Sequence, residues 1–113
     1  MTEAPRAREI LQSLIGQEIH TVTGKPNHVV RLEHEAVIVA TRRSPEGTPV
    51  PLIWVQEAID RLHKTHEIEV SVESLGYRSA FVGAVLLTLP DAVLVKTTPP
   101  RVRLGGETRH DGS

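Results

Sequence analysis

Residues 28–41 have the sequence HVVRLEHEAVIVAT, and this stretch sets the fold class expected for the chain. Two runs rich in β-branched residues, 28–32 and 36–41, are separated by the short polar connection Glu-His-Glu. Two such runs joined by a tight polar connection predict a β-hairpin. Residues 18–23 alternate polar and β-branched side chains and predict one more strand before the hairpin. We therefore expect a three-stranded meander.

Helical periodicity flanks this meander. Residues 5–15 and 51–63 each place apolar side chains on one helix face. Residues 80–89 form an apolar run that begins after Ser79, a good N-cap, and ends before Pro90. These patterns predict three helices.

The remaining elements are short. Residues 67–72 (EIEVSV) predict an exposed edge strand, residues 92–95 predict a last strand, and the proline-rich residues 42–51 predict a loop. The expected fold class is α+β, a small antiparallel sheet packed with about three helices. The second and third helices also fit a helix-turn-helix-like arrangement with an inserted strand.

Composition indicates one soluble domain. The chain has 113 residues, 39% hydrophobic and 24% charged, and no cysteine. Residues 1–96 are predicted to form the domain, and residues 97–113, rich in glycine and proline, a flexible tail or linker. The start of the chain has no apolar core of signal-peptide type, and the longest apolar run is too short for a bilayer. We expect a cytoplasmic protein without membrane contact.

The charges of the chain are unevenly distributed. Thirteen lysines and arginines against fourteen aspartates and glutamates give a net charge of −1, which does not suggest strong non-specific nucleic-acid binding. Residues 24–31, 41–44 and 76–89 nevertheless contain no acidic residue. The bases in these three segments are Lys25, Arg31, Arg42, Arg43 and Arg78. An anionic partner is therefore expected there.

Two Arg-Ser pairs, Arg43-Ser44 and Arg78-Ser79, each precede a predicted helix. Guanidinium groups bind phosphate oxygens bidentately, serine hydroxyls add donors, and helix N-termini favour anions. If the two pairs converge, Arg42 with Lys25 and Asn27 in the neighbouring turn would extend one cationic patch. The alternative is that both segments are solvated surface turns.

Two aromatic residues allow two interpretations each. Trp54, the only tryptophan, lies beside an apolar helix stripe and near the predicted loop of residues 42–51, which we call the arginine loop. It either anchors the core or, if exposed, stacks on a base. Tyr77 is either a ring at the edge of the core or a stacking and hydrogen-bonding group.

Catalytic and metal-binding patterns are weak. Neither Ser44 nor Ser79 has a neighbouring histidine in sequence, and no G-x-S-x-G motif occurs. His63 and His66 could reach one ion, but no third ligand is apparent. We predict neither an enzyme nor a cofactor.

Residues 43–51 (RSPEGTPVP) and 75–86 (LGYRSAFVGAVL) carry a family resemblance. Over residues 24–90 the chain resembles the N-terminal module that precedes HNH nuclease domains in actinobacterial McrA-like type IV (modification-dependent) restriction proteins. The resemblance implies recognition of DNA, including DNA that bears 5-methylcytosine. It implies contacts at Arg42, Arg43, Ser44, Tyr77, Arg78 and Ser79. No HNH motif or zinc-ligand set is present in this sequence, so the chain is expected to bind without cutting.

The predicted function is a DNA-binding module that favours methylated double-stranded DNA, with Trp54 or Tyr77 sensing a base or its methyl group. The alternative is a protein-interaction or dimerisation module, in which the apolar third helix or the EIEVSV edge pairs with a partner, for example in a homodimer. The net charge favours this alternative. A small enzyme or phospho-ligand binder that uses the same helix N-terminus is the weakest candidate.

Overall fold

The fold is α+β, as the sequence predicts, but the described residues form four helices and two small antiparallel sheets rather than about three helices and one sheet. The computed structural model describes residues 5–76 and 78–105. The helices are α1 (Ala7–Leu14), α2 (Leu52–Thr65), α3 (Val72–Leu75) and α4 (Ser79–Leu87). The first sheet contains, in chain order, β1 (Glu18–His20), β2 (Pro26–Leu32), β3 (Ala36–Ala40) and β4 (Thr48–Pro51). The second has the order β5-β7-β6, formed by β5 (Glu67–Glu69), β6 (Ala92–Val95) and β7 (Arg101–Leu104).

The predicted hairpin of β2 and β3 is the middle of the first sheet. Val29 pairs with Val39, and the register shifts between Val29 and Arg31, which marks a β-bulge or irregularity. The backbone N–H of Glu33 donates to the carbonyl of Ala36 at 2.8 Å and closes the connection. The β-branched side chains on the inner face are fully buried and join the core.

The first sheet has a fourth strand that the sequence does not predict. Residues 42–51 were expected to be a loop, but the last four of them form β4 and pair with β3, with Val50 opposite Val37. Proline lacks the N–H needed inside a sheet, and β4 accommodates Pro49 and Pro51 because it lies at the edge.

The prediction of a tail that begins at residue 97 is wrong. Residues 101–104 form β7, the central strand of the second sheet, and Val102 is fully buried. Arg101 also forms ion pairs with Glu67 at 3.3 Å and with Glu69 at 3.8 Å. The domain therefore extends past residue 96 to at least Leu104. Residues 106–113 of the predicted tail lie outside the described residues.

Helix α4 belongs to the core. Its residues from Phe81 to Leu86 are buried, so the apolar surface that was considered for a partner is covered by the chain itself. Gly83 allows this close packing, because a Cβ atom there would lie 2.7 Å from a methyl carbon of Val70. Helix α4 therefore offers a partner little exposed apolar surface, and the dimerisation hypothesis that uses this helix stays a prediction.

The connection between α2 and α4 differs from a helix-turn-helix turn. It contains β5 and the short helix α3, and the predicted strand over residues 67–72 ends at Glu69. A helix-turn-helix motif joins its helices by about three or four residues. Among the described residues, no helix is long and apolar enough to cross a membrane.

Candidate functional site

Three segments that are distant in sequence enclose one open cleft of about 980 Å³. They are the turn between β1 and β2, the loop between β3 and β4, and the start of α4. Seven of the nine predicted site residues line this cleft: Lys25, Asn27, Arg42, Arg43, Ser44, Arg78 and Ser79. The two Arg-Ser pairs therefore converge on one cleft. From the sequence, a shared cationic patch followed only if they did so.

The turn between β1 and β2 is held by Thr21. The Thr21 hydroxyl accepts a hydrogen bond from the backbone N–H of Lys25 at 3.0 Å, and the Thr21 N–H donates to the Lys25 carbonyl at 2.9 Å. Gly24, with φ of +88°, takes the left-handed backbone conformation that closes the turn. The Lys25 side chain is exposed at the cleft.

The arginine loop is closed at both ends by its own backbone. Thr41 and Ser44 exchange backbone hydrogen bonds of 3.2 Å, and the Thr41 hydroxyl also accepts from the Ser44 N–H at 3.2 Å. Gly47 then packs over Ile38, where an added Cβ would lie 2.6 Å from a methyl carbon. A loop that is ordered before binding loses less conformational entropy when it binds. Arg42 and Arg43 are presented, exposed, from this ordered loop.

The start of α4 is joined to β4 by Arg78. An Nη atom of Arg78 donates to the Thr48 hydroxyl at 2.8 Å. Arg78 is the N-cap residue, and no side-chain hydrogen bond caps this helix end. The prediction that Ser79 is the N-cap is wrong, because Ser79 already has helical geometry as the first residue of α4.

The cleft is cationic. Four basic side chains line it, and no aspartate or glutamate of the described residues does. Arg31, the fifth base in the acid-free segments, lies outside the cleft and pairs with Glu33 at 3.0 Å. Within residues 5–76 and 78–105, therefore, no negative charge neutralises the cleft by direct contact.

Asn27 occupies an unusual position in the cleft. It was predicted to lie in the turn, but it is the second residue of β2 and shares the inner face with Val29. The residue is only 6% exposed. Within residues 5–76 and 78–105, its side-chain amide makes no hydrogen bond, whereas the equally buried Thr21 is hydrogen-bonded.

Of the two aromatic residues predicted for the site, the structure describes only Trp54. Trp54 does not line the cleft, and instead packs half-buried against the core, as the core-anchor interpretation expects. Tyr77 lies outside the described residues.

Sequence reasoning missed four threonines of the cleft: Thr21, Thr23, Thr41 and Thr48. The first three lie beside the basic turns in sequence, so their position was the available signal. Thr48 becomes a partner of Arg78 only through the pairing of β4. Across the part of the chain that the structure describes, no group of three metal-ligating side chains could hold an ion.

No protein-family model, curated protein or solved structure matches the chain. The similarity to McrA-like restriction proteins therefore stays a prediction. A functional assignment depends on the chemistry of the cleft.

Proposed function

We propose that this chain is a DNA-binding module whose cationic cleft, defined by Lys25, Arg42, Arg43 and Arg78, binds the phosphate backbone. The observation that carries the proposal is the convergence of four bases from three separate segments on a cleft without acidic lining. Like charges repel one another, so grouping these four basic side chains raises the free energy of the folded chain unless an anion binds among them.

The donors present suit phosphate. Arginine offers a planar fork of N–H donors that matches phosphate oxygens bidentately, and lysine adds a point charge. The Ser44 and Ser79 hydroxyls beside the arginines add further donors. Arg78 is already oriented by the Thr48 hydroxyl.

An extended polyanion fits the cleft better than a small phosphate. The cleft is open, and Lys25, Arg42 and Arg43 are exposed rather than enclosed around one point. Such charges can contact successive phosphates along a strand, and each neutralised phosphate releases counterions. Local charge of this kind supports binding although the net charge of the chain is −1.

A preference for 5-methylcytosine belongs to the same proposal, through the predicted resemblance. Apolar side chains beside the arginines, Pro26 and Ala80, offer contacts for a methyl group. Burial of one methyl group contributes about 0.8 kcal/mol, so we expect methylated DNA to bind only about fourfold more tightly.

The first prediction concerns salt and the two central arginines. Wild type and the double variant Arg43→Ala/Arg78→Ala are titrated by fluorescence anisotropy with methylated and unmethylated duplexes. Four phosphate contacts predict about 100-fold weaker binding by wild type at about 200 mM than at about 50 mM salt. The double variant is expected to bind more weakly and to lower the slope of log affinity against log salt by about two.

The matched control is Lys64→Ala/Arg103→Ala, which removes the same charge from exposed positions outside the cleft. This control should keep the wild-type affinity and slope. Binding that is absent or insensitive to salt would contradict DNA binding. Equal losses in the two double variants would contradict the placement of the site, and equal affinity for both duplexes would contradict the methyl preference.

A protein-interaction module is the second candidate function. The observation that favours it is β6, which lies at an edge of the second sheet and carries Val93, 45% exposed. An absence of DNA binding together with a concentration-dependent dimer in sedimentation would favour this candidate.

A further inference from the structure

We propose that Asn27 reads the hydrogen-bonding edge of an unpaired nucleobase that enters the cleft, so that the preferred partner is DNA with a base outside the helical stack. This inference rests on the proposed function, because the cationic rim must first hold the strand. Its carrier is the side-chain amide of Asn27, which makes no hydrogen bond within the described residues and keeps its polar atoms accessible from the cleft, although the residue as a whole is buried.

No buried side-chain oxygen or nitrogen of the described residues lacks a hydrogen-bond partner, so the unpaired amide atoms of Asn27 are open to the cleft and free to bind a ligand. Within the sheet, the next inward residue of β2 is Val29 and the residue opposite Asn27 in β1 is Ile19, neither of which has a side chain that can pair with an amide. The amide lines the cleft instead. A ligand that enters the cleft can supply the missing hydrogen bonds.

The depth of Asn27 determines which part of DNA can reach it. Bases in a paired duplex present their edges inside the grooves, where only a protruding protein group contacts them. Asn27 is short and 94% buried, the complement of its 6% exposure, so it cannot protrude into a groove. A base that has left the stack can move into the cleft instead.

The chemistry of the carboxamide favours a base over another phosphate. Asparagine offers one acceptor and two donors, and can therefore bind a base edge that presents a donor beside an acceptor. Phosphate oxygens only accept, and the four basic side chains already provide donors for them. We thereby assign binding of the DNA phosphates to the four basic side chains and recognition of the base to Asn27, all within one cleft.

The test compares a fully paired duplex with four duplexes that each carry one extra unpaired A, C, G or T. Wild type should bind at least one of these about fivefold or more tightly than the paired duplex, and the four bases should differ. Asn27→Val should lose this preference and keep paired-duplex affinity within about twofold. Asn27→Ala is measured in parallel, and circular dichroism checks the fold of both variants.

Arg43→Ala/Arg78→Ala supplies the opposite pattern. It should weaken binding to all five duplexes by a similar factor and keep their relative order, because its lost contacts are to phosphates. Failure of wild type to bind any duplex would overturn both proposals. Salt-dependent binding with equal affinity for paired and unpaired probes would overturn only the role of Asn27. Retention of the preference by folded Asn27 variants would also overturn it.

Discussion

Asn27 places a polar side chain on an otherwise apolar part of the inner face of β2, where it lines the cleft. A valine at this inward position would continue the apolar inner face of β2, next to Val29. The amide makes no hydrogen bond within the described residues, and its polar atoms are accessible from the cleft. In our proposal, the amide therefore serves a ligand rather than the fold.

We predict that Asn27→Val leaves the free energy of unfolding unchanged or raises it by up to about 1 kcal/mol, because the amide makes no hydrogen bond within the described residues and valine would continue the apolar inner face of β2. Urea denaturation of both proteins measures the change, and Lys64→Ala/Arg103→Ala should unfold like wild type. A lower stability of Asn27→Val would show that the amide supports the fold.

Seven of the nine predicted site residues line the cleft because charge and residue type are local properties of the sequence. Whether a side chain faces the cleft or the core depends on the neighbours that folding brings to it. Trp54 therefore had two interpretations from sequence, and its packing against the core distinguishes them. The pairing of Thr48 with Arg78, thirty residues apart, had no local signal.

Strand β7 shows why short strands are hard to predict. Its four residues, Arg-Val-Arg-Leu, alternate outward and inward, but prolines and glycines surround them and dominate the local composition. The alternation has meaning only once β5 and β6 pair on both sides. For the same reason the sequence did not predict β4, because its prolines indicate a loop unless the strand lies at the edge of a sheet.

We predict that a chain ending at residue 96 has no cooperative unfolding transition. Such a chain lacks β7, so the second sheet has no central strand and the core loses Val102 and Leu104. Burial of each such side chain contributes about 1.5–3 kcal/mol, a large part of an ordinary domain's 5–15 kcal/mol. Thermal unfolding followed by circular dichroism tests this.

The control for that truncation is a chain ending at residue 105, which keeps β7. It should unfold cooperatively. A chain ending at residue 96 with the same midpoint as the longer one would contradict the central role of β7.

The two sheets share one hydrophobic core. Buried residues from both sheets and all four helices form a single cluster, with Val37 from the first sheet and Val102 from the second among its members. Trp54 packs against this cluster from α2. The cleft is built from segments of the first sheet and from α4, so its shape depends on that common core.

We predict that the whole chain unfolds in one two-state transition, because neither sheet has a core of its own. In urea, the fluorescence of Trp54 and the far-ultraviolet circular dichroism should change with the same midpoint. Two separate midpoints would contradict the shared core.

Local pattern accounts for the α+β class, the β2–β3 hairpin, the long helices and the acid-free basic segments, because periodicity and charge act between near neighbours. Only the tertiary structure determined the pairing of β4 and β7, the packing of half-buried Trp54 against the core and the convergence of Lys25, Arg43 and Arg78. It also turned Asn27 inward. These features depend on contacts between residues far apart in the chain, whose geometry exists only after the core has packed.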